Sequence, residues 1–459
     1  MASILRNDTA RWRRELRETF ALATPLILGQ LSAVGMNVVD TLLAGHLDAH
    51  TLAAVAVGTG LWSLAIVAAI GVMLALPPSV AHLSGAGEHA RIGPLFRQAL
   101  WLAFALGIVL LVLVRSAGAL LGPIGIDPSI VDDTRKFLHA IAWGAPALTG
   151  YFALRGFSEG IARPRPTMYF GALGLALLAP IGYALMYGRF GFAPRGAQGS
   201  GMATALVLWI QFAGFASYLG LRRHYRAYAP FGTFEPPRWQ EIAGLLRLGV
   251  PMGLAVLMEA GLFVAAALVI GSLGADSVAG HQIAINVASV AFMVPLGVAM
   301  ATTVRVGNAA GRGDADAVRR AGFAGITGAA LTQTVSSTVM ALFPYAIANV
   351  YTDEHGVATM AAQLLMLAAI FQFSDGVQVS ANGALRGLKD TTVPMVITAF
   401  AYWGIGMPVG WWLAFRAGLG ARGMWMGLIA GLTAAALLLF VRFARVSRRR
   451  LEAAGAAAV

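Results

Sequence analysis

Cysteine is absent from this 459-residue chain, and charged residues make up only 12% of it. The first absence excludes disulfide bonds, thiolate metal sites and cysteine nucleophiles. The second excludes an ordinary soluble protein, in which about 25% of residues are charged. Catalytic motifs are missing too, because the sequence holds no HExxH, no phosphate-binding P-loop and no Ser/His/Asp set at membrane depth. We therefore predict that the chain is not an enzyme and needs no cofactor.

Long apolar runs fill the sequence instead. Hydrophobic residues account for 58% of the chain, and its mean hydropathy is +0.72. Runs of about 20 apolar residues, the length that crosses a bilayer, predict twelve transmembrane helices in an all-α integral membrane protein. Helices are expected because each backbone group in lipid must be paired within its own segment, and the runs lack the alternation of a β-barrel. The predicted spans are 18–45, 52–80, 98–121, 134–157, 167–188, 198–221, 243–271, 276–304, 318–343, 357–385, 394–415 and 422–443.

Basic residues are unequally divided between the two sides of the predicted membrane. The side that holds the N-terminus carries 26 of the 33 Lys and Arg residues. By the positive-inside rule, both termini are cytoplasmic. The net charge of +12 is therefore a topology signal, and it favours contact with anionic membrane lipids over nucleic acid. We expect a multi-pass protein of the cell inner (plasma) membrane.

The two halves of the chain resemble each other. A shift of 226 residues matches Pro25 with Pro251 and Gly71 with Gly297. We predict an N-terminal lobe (1–221), a cytoplasmic linker (222–240) and a C-terminal lobe with a basic tail (241–459). Because each lobe has six helices, both copies have the same orientation and form a parallel pseudo-two-fold repeat. In secondary transporters with this plan, the binding site lies between the halves near the midplane.

Three of the 21 acidic residues lie inside predicted spans: Asp40, Glu259 and Asp375. Glu259 lies about 17 Å deep in a hydrocarbon core that is about 30 Å thick. An ionisable group at that depth costs at least about 2.5 kcal/mol. No Lys or Arg lies within a span to neutralise these carboxylates. Unless a hydroxyl or the backbone caps them, they must exchange protons or bind a cation.

The acidic positions are not duplicated by the repeat. The residues that correspond to Asp40, Glu259 and Asp375 in the other half are Ala266, Ala33 and Gly144. The charge chemistry is therefore asymmetric, and Glu259 with Asp375 places it mainly in the second half. If the bound ion is Na⁺, these two carboxylates are the expected metal ligands, because hard cations prefer oxygen.

Polar and large apolar side chains near the carboxylates are candidates for a substrate cavity. Aromatic and methionine side chains suit lipophilic cations. Interhelical hydrogen bonding or ordinary packing is the alternative, and the sequence leaves it open. The candidates are Gln282, Asn286, Phe371, Gln378 and Met36.

Four segments carry a resemblance to a known family. They are LATPLILGQL…GMNVVDTLLAGHL (22–47), LRLGVPMGLAVLMEAGLF (246–263), AGHQIAINVASVAFMVPLGVAMATTVRVGNAAGRGD (279–314) and FQFSDGVQVSANGALRGLKDTTVPM (371–395). With these segments the chain resembles the multidrug and toxic compound extrusion (MATE) transporters, in particular the NorM-like branch. The resemblance extends over nearly the whole chain.

The resemblance implies a function and assigns residues to it. MATE transporters have a V-shaped cavity and export cationic, lipophilic drugs by alternating access, in exchange for inward Na⁺ or H⁺. The family's second-lobe cation site falls on Glu259 and Asp375, and its first-lobe acidic residue falls on Asp40. Two features depart from the family. Phe371 stands where a tyrosine is common. In span five, Leu178 and Gly182 replace asparagines, which predicts a depleted hydrogen-bond network around Asp40.

Three other functions compete with a drug antiporter. A lipid-linked glycan flippase would need several Arg or Lys in its cavity for a pyrophosphate, and the spans have almost none. A membrane-embedded enzyme would need a nucleophile or metal set within the spans. A passive channel would show no stoichiometric coupling to an ion gradient. We expect a monomer that acts on small molecules.

Overall fold

The structure is a computed structural model that describes residues 2–123 and 125–457. Every regular element within those residues is helical. A 3₁₀ turn, Ala142–Gly144, and a π-helical segment, Phe400–Gly406, each lie between two α-helices. The helices are α1 (Ala2–Leu47), α2 (Ala49–Met73), α3 (Leu76–Gly85), α4 (His89–Ala117), α5 (Pro128–Ile141), α6 (Ala145–Gly160), α7 (Arg165–Tyr187), α8 (Gly196–Leu221), α9 (Arg223–Arg226), α10 (Trp239–Gly271), α11 (Ala275–Gly311), α12 (Ala315–Leu342), α13 (Pro344–Tyr351), α14 (His355–Gly387), α15 (Thr392–Ala399), α16 (Met407–Phe415) and α17 (Gly420–Ala457).

The helices account for the predicted membrane spans. Within the described residues, eleven helical stretches are long and apolar enough to cross a bilayer. A twelfth is obtained if α12 and α13, which are bent by 78° relative to each other, form one broken span. Pro344 begins α13 at this bend, because proline cannot donate the backbone hydrogen bond that would continue α12. The predicted all-α membrane fold is confirmed.

Prolines also divide two of the predicted spans into shorter helices. The run 52–80 becomes α2 and α3, and Pro77 and Pro78 lie in the first turn of α3. The run 134–157 becomes α5, a 3₁₀ turn and α6, which has Pro146 in its first turn. Proline is tolerated at these positions because the first-turn N–H groups have no partner within the helix in any case.

One compact unit extends from Leu28 to Gly253. Its larger core is aromatic, and Phe96, Phe157 and Phe215 are fully buried where α4, α6 and α8 pack together. The rings of Phe96 and Phe157 are 4.6 Å apart. Burial of such rings stabilises the unit by dispersion as well as by area, because protein interiors are close-packed.

The second compact unit contains the described residues up to Ile27 and those from Leu254 onward. Helix α14 lies at its centre and packs against α11, α12 and α17. Its largest core cluster includes Phe371, Tyr402 and Trp425, all at most 2% exposed. The polar side chains of α14 are therefore held inside the unit by apolar neighbours.

Close glycine contacts occur at equivalent positions of the repeat. Within the first unit, a Cβ on Gly71 would lie 2.2 Å from the Cα of Gly253. Within the second, a Cβ on Gly297 would lie 2.4 Å from the Cγ1 of Ile27. Gly71 and Gly297 are 226 residues apart, as are Ile27 and Gly253. Both contacts require that a side chain be absent at the glycine, so the repeat is visible in backbone packing as well as in the sequence.

The units do not end at the predicted linker. Their limits lie inside α1 and α10, two residues after Pro25 and Pro251, which are internal to these helices. Compactness follows side-chain contacts, and the first half of α1 contacts α11 through residues such as Leu26 and Val298. The division into six-helix lobes with a linker at 222–240 stays a prediction.

Candidate cation-binding site

Glu259 occupies the middle of α10, the helix that spans Trp239–Gly271. Leu, Val, Ala and Met surround it in the sequence, so the segment is both apolar and a good helix former. The side chain of Glu259 is neither fully buried nor fully exposed. Glu259 is therefore less enclosed by the described side chains than a fully buried residue.

Asp375 and Gln378 lie one turn apart on α14 and are almost completely buried, with 4% and 1% of their surfaces exposed. The Oδ1 of Asp375 and the Oε1 of Gln378 have no hydrogen-bond partner among the described residues. A buried polar atom without a partner costs about 1–3 kcal/mol. Two such oxygens on one helix face are therefore expected to have a ligand or an ordered water.

Tyr402 is supplied by the π-helical segment Phe400–Gly406 and is fully buried. Its hydroxyl is a third buried group for which the described part of the chain offers no hydrogen-bond partner. Single π-helical turns inside α-helices occur frequently at functional sites, because the wider turn redirects side chains.

Electrostatic interactions connect these groups into what we call the carboxylate cluster: Glu259, Asp375, Arg386 and Tyr402. Glu259 interacts with Asp375 and with Arg386. Tyr402 interacts with the other three. Arg386, the next-to-last residue of α14, interacts electrostatically with Glu259 from just beyond the predicted span 357–385.

The face of α14 that supports Asp375 is fixed by interhelical hydrogen bonds. Gln372 is fully buried, donates to the carbonyl of Ala288 on α11 at 2.9 Å and accepts from Gln333 on α12. Ser374 shares a 2.8 Å hydrogen bond with Thr433 on α17. Paired buried groups of this kind hold a helix in one rotational position. The neighbours of Asp375 are therefore structural, while Asp375 itself keeps an oxygen available.

The predicted cavity residues of the second half do not all gather at the carboxylate cluster. Gln378 does, as described above. Phe371 is 2% exposed and packs edge-on against Phe263 and Trp425, so its ring faces the interior of the unit. Gln282 and Asn286 lie exposed on α11. Contact of these residues with a substrate stays a prediction.

Asp40 has hydrogen-bond donors that the sequence reasoning missed. Ser200 and Thr204, one turn apart on α8, donate to its two carboxylate oxygens at 3.1 and 3.0 Å. Span six therefore supplies hydrogen-bond partners for Asp40. The depletion expected from Leu178 and Gly182 in span five stays a prediction. Leu178, in span five, is fully buried in an apolar cluster against which Met36 also packs. A role for Asp40 in ion coupling stays a prediction.

A polydentate metal centre is not formed by the described side chains, since no three His, Asp or Glu residues among them come close enough to hold an ion. The carboxylate cluster offers two carboxylates and a phenol, and Gln378, one turn from Asp375 on α14, adds an amide oxygen. That donor set suits a proton or a single alkali cation and lacks the ligand charge expected of a divalent site.

Comparison with known proteins assigns the family. The family model described as MatE matches residues 25–184 and 251–412, which together make up most of the chain. The chain belongs to the MatE family. Both matched segments of this MATE protein begin at repeat-related prolines, Pro25 and Pro251. Members of the family are transporters, so the chain is a membrane transporter and not an enzyme.

Named relatives support the same assignment. A protein named "Probable multidrug resistance protein NorM" from Xanthomonas campestris pv. campestris is 51% identical over 441 residues, which are 96% of each chain. "Multidrug resistance protein PmpM" from Pseudomonas aeruginosa is 42% identical over 444 residues, covering 96% of this chain and 93% of that one. The predicted resemblance to NorM-like MATE proteins is confirmed.

A solved structure shows the same fold. It is titled "Outward-facing conformation of a multidrug resistance MATE family transporter of the MOP superfamily" and aligns with a TM-score of 0.88. The alignment covers 95% of this chain and 97% of that chain at 20% identity. The helical arrangement is thus shared at a sequence identity too low to transfer individual side-chain roles.

Proposed function

We propose that the chain is a secondary antiporter of the inner membrane that exports lipophilic organic cations in exchange for inward Na⁺ or H⁺. The names of the NorM and PmpM relatives support drug export. The observation that carries the coupling proposal is the carboxylate cluster, in which Glu259 interacts with both Asp375 and Arg386. The Oδ1 of Asp375 and the hydroxyl of Tyr402 have no hydrogen-bond partner within residues 2–123 and 125–457.

The charges of the cluster define how many ions it takes. With Glu259 and Asp375 ionised and Arg386 protonated, the net charge is −1. A net charge buried at membrane depth is unfavourable, and a bound monovalent cation removes it. We therefore propose that one Na⁺ or one H⁺ is taken up for each transport cycle.

The oxygens of the cluster would share this ion. Glu259 is the accessible acid and receives the ion first. Asp375, which is buried, then contributes Oδ1, and the hydroxyl of Tyr402 and the Oε1 of Gln378 complete the set. A sodium ion would use several of these oxygens as ligands. A proton would reside on one carboxylate and be shared by hydrogen bonding.

Competition for the same charge provides the exchange. A cationic drug and the coupling ion each neutralise the net charge of −1. Binding of one therefore removes the electrostatic attraction between the cluster and the other. The ion drives export only if it binds one arrangement of the transporter more tightly than the other. Inward ion entry then displaces the drug outward, and release of the ion on the inner side empties the site again.

Topology and assembly are part of the same proposal. The excess of positive residues on the side of the N-terminus supports a cytoplasmic location for both termini. We propose that Asp40, held by Ser200 and Thr204, serves as a second acidic site, and that the transporter acts as a monomer surrounded by membrane lipids.

Efflux from proteoliposomes tests this function. A fluorescent lipophilic cation is loaded, and either a Na⁺ gradient or a pH gradient is imposed, so that the productive gradient identifies the ion. Glu259→Gln and Asp375→Asn are expected to abolish gradient-driven efflux, because either change leaves the cluster without its net negative charge. Asp353→Asn, at an exposed carboxylate in the same compact unit, is the matched control and should keep wild-type efflux.

Two results would contradict the proposal. Wild-type coupled efflux in both Glu259→Gln and Asp375→Asn would show that the ion is handled elsewhere. Cation leakage that is independent of either gradient would indicate a passive channel.

A further inference from the structure

A cavity outside the cation site lies within the first compact unit, between α4 and the loop residues 230–235 that follow α9. We call it the linker pocket. Its volume is about 480 Å³, and its walls are largely apolar. The residues that form these walls include Leu100, Trp101, Phe104, Phe231, Thr233 and Phe234.

Hydrogen bonds hold the loop against α4, so the linker pocket is a built feature. Trp101 donates its indole N–H to the carbonyl of Glu235 at 2.9 Å. Gln98 donates to the carbonyl of Pro236 at 3.1 Å and accepts from the backbone N–H of Arg238 at 2.6 Å. These three hydrogen bonds, made by two residues one turn apart on α4, fix the loop against that helix.

Charged groups close one end of the linker pocket with a net positive charge. Arg97 and Glu235, 12% and 15% exposed, form an ion pair at its wall. Arg97 holds the pKa of Glu235 below its ordinary value by hydrogen bonding, so this acid is ionised and already neutralised. Arg238 lies 3.6 Å from the other oxygen of Glu235 and remains 59% exposed. The guanidinium groups of Arg97 and Arg238 and the carboxylate of Glu235 together have a net charge of +1. Arg238, the more exposed of the two arginines, carries the excess positive charge.

The opposite end of the linker pocket continues into an apolar face of α4. Phe104 is 56% exposed, and Ile108 and Val112 follow it at helical spacing, 41% and 54% exposed. In a spanning helix, such exposed apolar side chains face acyl chains. Trp101 and Phe234, whose rings meet at 5.9 Å, lie where the apolar face ends and the charges begin. Aromatic residues are enriched at this level of the membrane interface.

We propose that the linker pocket binds one anionic phospholipid from the leaflet on the linker side. An acyl chain lies along Leu100, Trp101 and Phe104, and the phosphate pairs with Arg238. Guanidinium groups bind phosphate through charge-assisted hydrogen bonds, and each basic residue near the surface favours anionic lipid. The bound lipid would fasten the loop that connects the two halves of the chain to α4.

A lipophilic cation is the competing occupant, since four aromatic rings surround the pocket. The charges disfavour it. Glu235 forms an ion pair with Arg97, and Arg238 lies 3.6 Å from its Oε2, which has no hydrogen-bond partner among the described residues. The negative charge of Glu235 is therefore already compensated by two guanidinium groups. The remaining charge is positive and repels a lipophilic cation.

Lipid retention by the intact protein tests the proposal. The full chain is placed in nanodiscs of phosphatidylcholine mixed with phosphatidylglycerol. The protein is then released from the nanodiscs, and the mass of the protein with its retained lipids is measured by native mass spectrometry. We expect one retained phosphatidylglycerol, preferred roughly fivefold over phosphatidylcholine, which is the effect of about one basic residue. Arg238→Gln should remove the preference and leave total lipid retention nearly unchanged. Arg445→Gln, an exposed arginine of the second unit, is the matched control and should keep it.

A cavity-filling variant tests the apolar half of the site. Thr233→Trp should lower the retention of both lipids, while its melting temperature in pure phosphatidylcholine stays close to that of the wild type. Equal retention of the two lipids by the wild type, or an equal effect of Arg238→Gln and Arg445→Gln, would overturn the proposal. So would binding of tetraphenylphosphonium that Thr233→Trp abolishes while phosphatidylglycerol retention is unchanged. Each readout is independent of coupled efflux.

Discussion

Replacing Tyr402 with phenylalanine removes a single oxygen from the carboxylate cluster and leaves the ring in place. The ring is fully buried, and its hydroxyl has no hydrogen-bond partner in the described part of the chain. An unsatisfied buried hydroxyl costs about 1–3 kcal/mol. In the absence of the coupling ion, Tyr402→Phe is therefore expected to leave the protein as stable as the wild type, or to stabilise it by up to that amount.

The effect on ion affinity has the opposite sign. A hydrogen bond or ligand contact to a charged group contributes about 1.5–3 kcal/mol. If Na⁺ is the coupling ion, loss of the Tyr402 oxygen should raise its half-saturating concentration roughly 10- to 150-fold. If H⁺ is the coupling ion, only a neutral hydrogen bond of about 0.5–1.5 kcal/mol is lost, and the change is roughly 2- to 10-fold. The size of the effect thus distinguishes the two ions.

Two measurements check this prediction. Thermal unfolding of the purified protein in choline chloride gives the ion-free stability, and its increase with added Na⁺ or acid reports binding by mass action. Gradient-driven efflux at varied ion concentration gives the half-saturating value. Tyr345→Phe loses the same atom from a ring that is 51% exposed and serves as the control. A clear loss of ion-free stability in Tyr402→Phe, with an unchanged half-saturating concentration, would identify the hydroxyl as an ordinary structural group and refute the reasoning.

Three further predictions concern residues away from Tyr402. Gly71→Ala places a Cβ against the backbone of Gly253 and should lower the stability of the fold by about 1–3 kcal/mol. Gly60→Ala is the control, because a Cβ there would have no atom within 4 Å and should leave the stability unchanged. Equal melting temperatures of the two variants would contradict the prediction. Thr204→Val removes one donor from Asp40 and should lower stability by about 1–3 kcal/mol at neutral pH, and an unchanged denaturation midpoint would show that Asp40 does not use it. N–H donation from the first turn of α2 holds the pKa of Asp48 below its ordinary value of 3.8. As the N-cap of α2, Asp48 therefore contributes fully to the stability of the fold above pH 3.8, and this contribution is lost as the pH falls through the lowered pKa. The difference in melting temperature between wild type and Asp48→Ala should therefore shrink below about pH 4, and a constant difference would argue against the cap.

Hydropathy predicted the fold well because the bilayer leaves few alternatives. A 20-residue apolar run in lipid has to be helical, and the length of the run sets where the helix lies. The breaks within spans were harder, although Pro77, Pro78 and Pro344 are visible signals at two of them. The boundaries of the compact units could not be predicted, because they depend on contacts such as Gly71 with Gly253 that no local pattern records.

Depth along the helix located Glu259 and Asp375, but partners at the ends of other helices were missed. Arg386 counts as a flanking charge in the sequence, yet it interacts electrostatically with Glu259. The hydroxyls that bind Asp40 had a recognisable signal, since Ser200 and Thr204 are four residues apart on span six. Which residues of different helices come close enough to interact is decided by tertiary packing, and no pattern within a single span records it.

The π-helical turn at Phe400–Gly406 makes the second half sensitive to the number of its residues as well as to their identity. Each added or removed residue turns the rest of an α-helix by about 100°. A deletion within this segment would convert the wide turn to ordinary α-helix and rotate Tyr402 relative to Met407–Phe415 by that angle. If the alignment with a relative has a gap within Phe400–Gly406, the tyrosine aligned with Tyr402 would point in a different direction in that relative. This would hold even where every aligned residue is identical. The number of residues in this segment thus sets the orientation of Tyr402 in the proposed ion site, which a comparison of side-chain identities alone does not show.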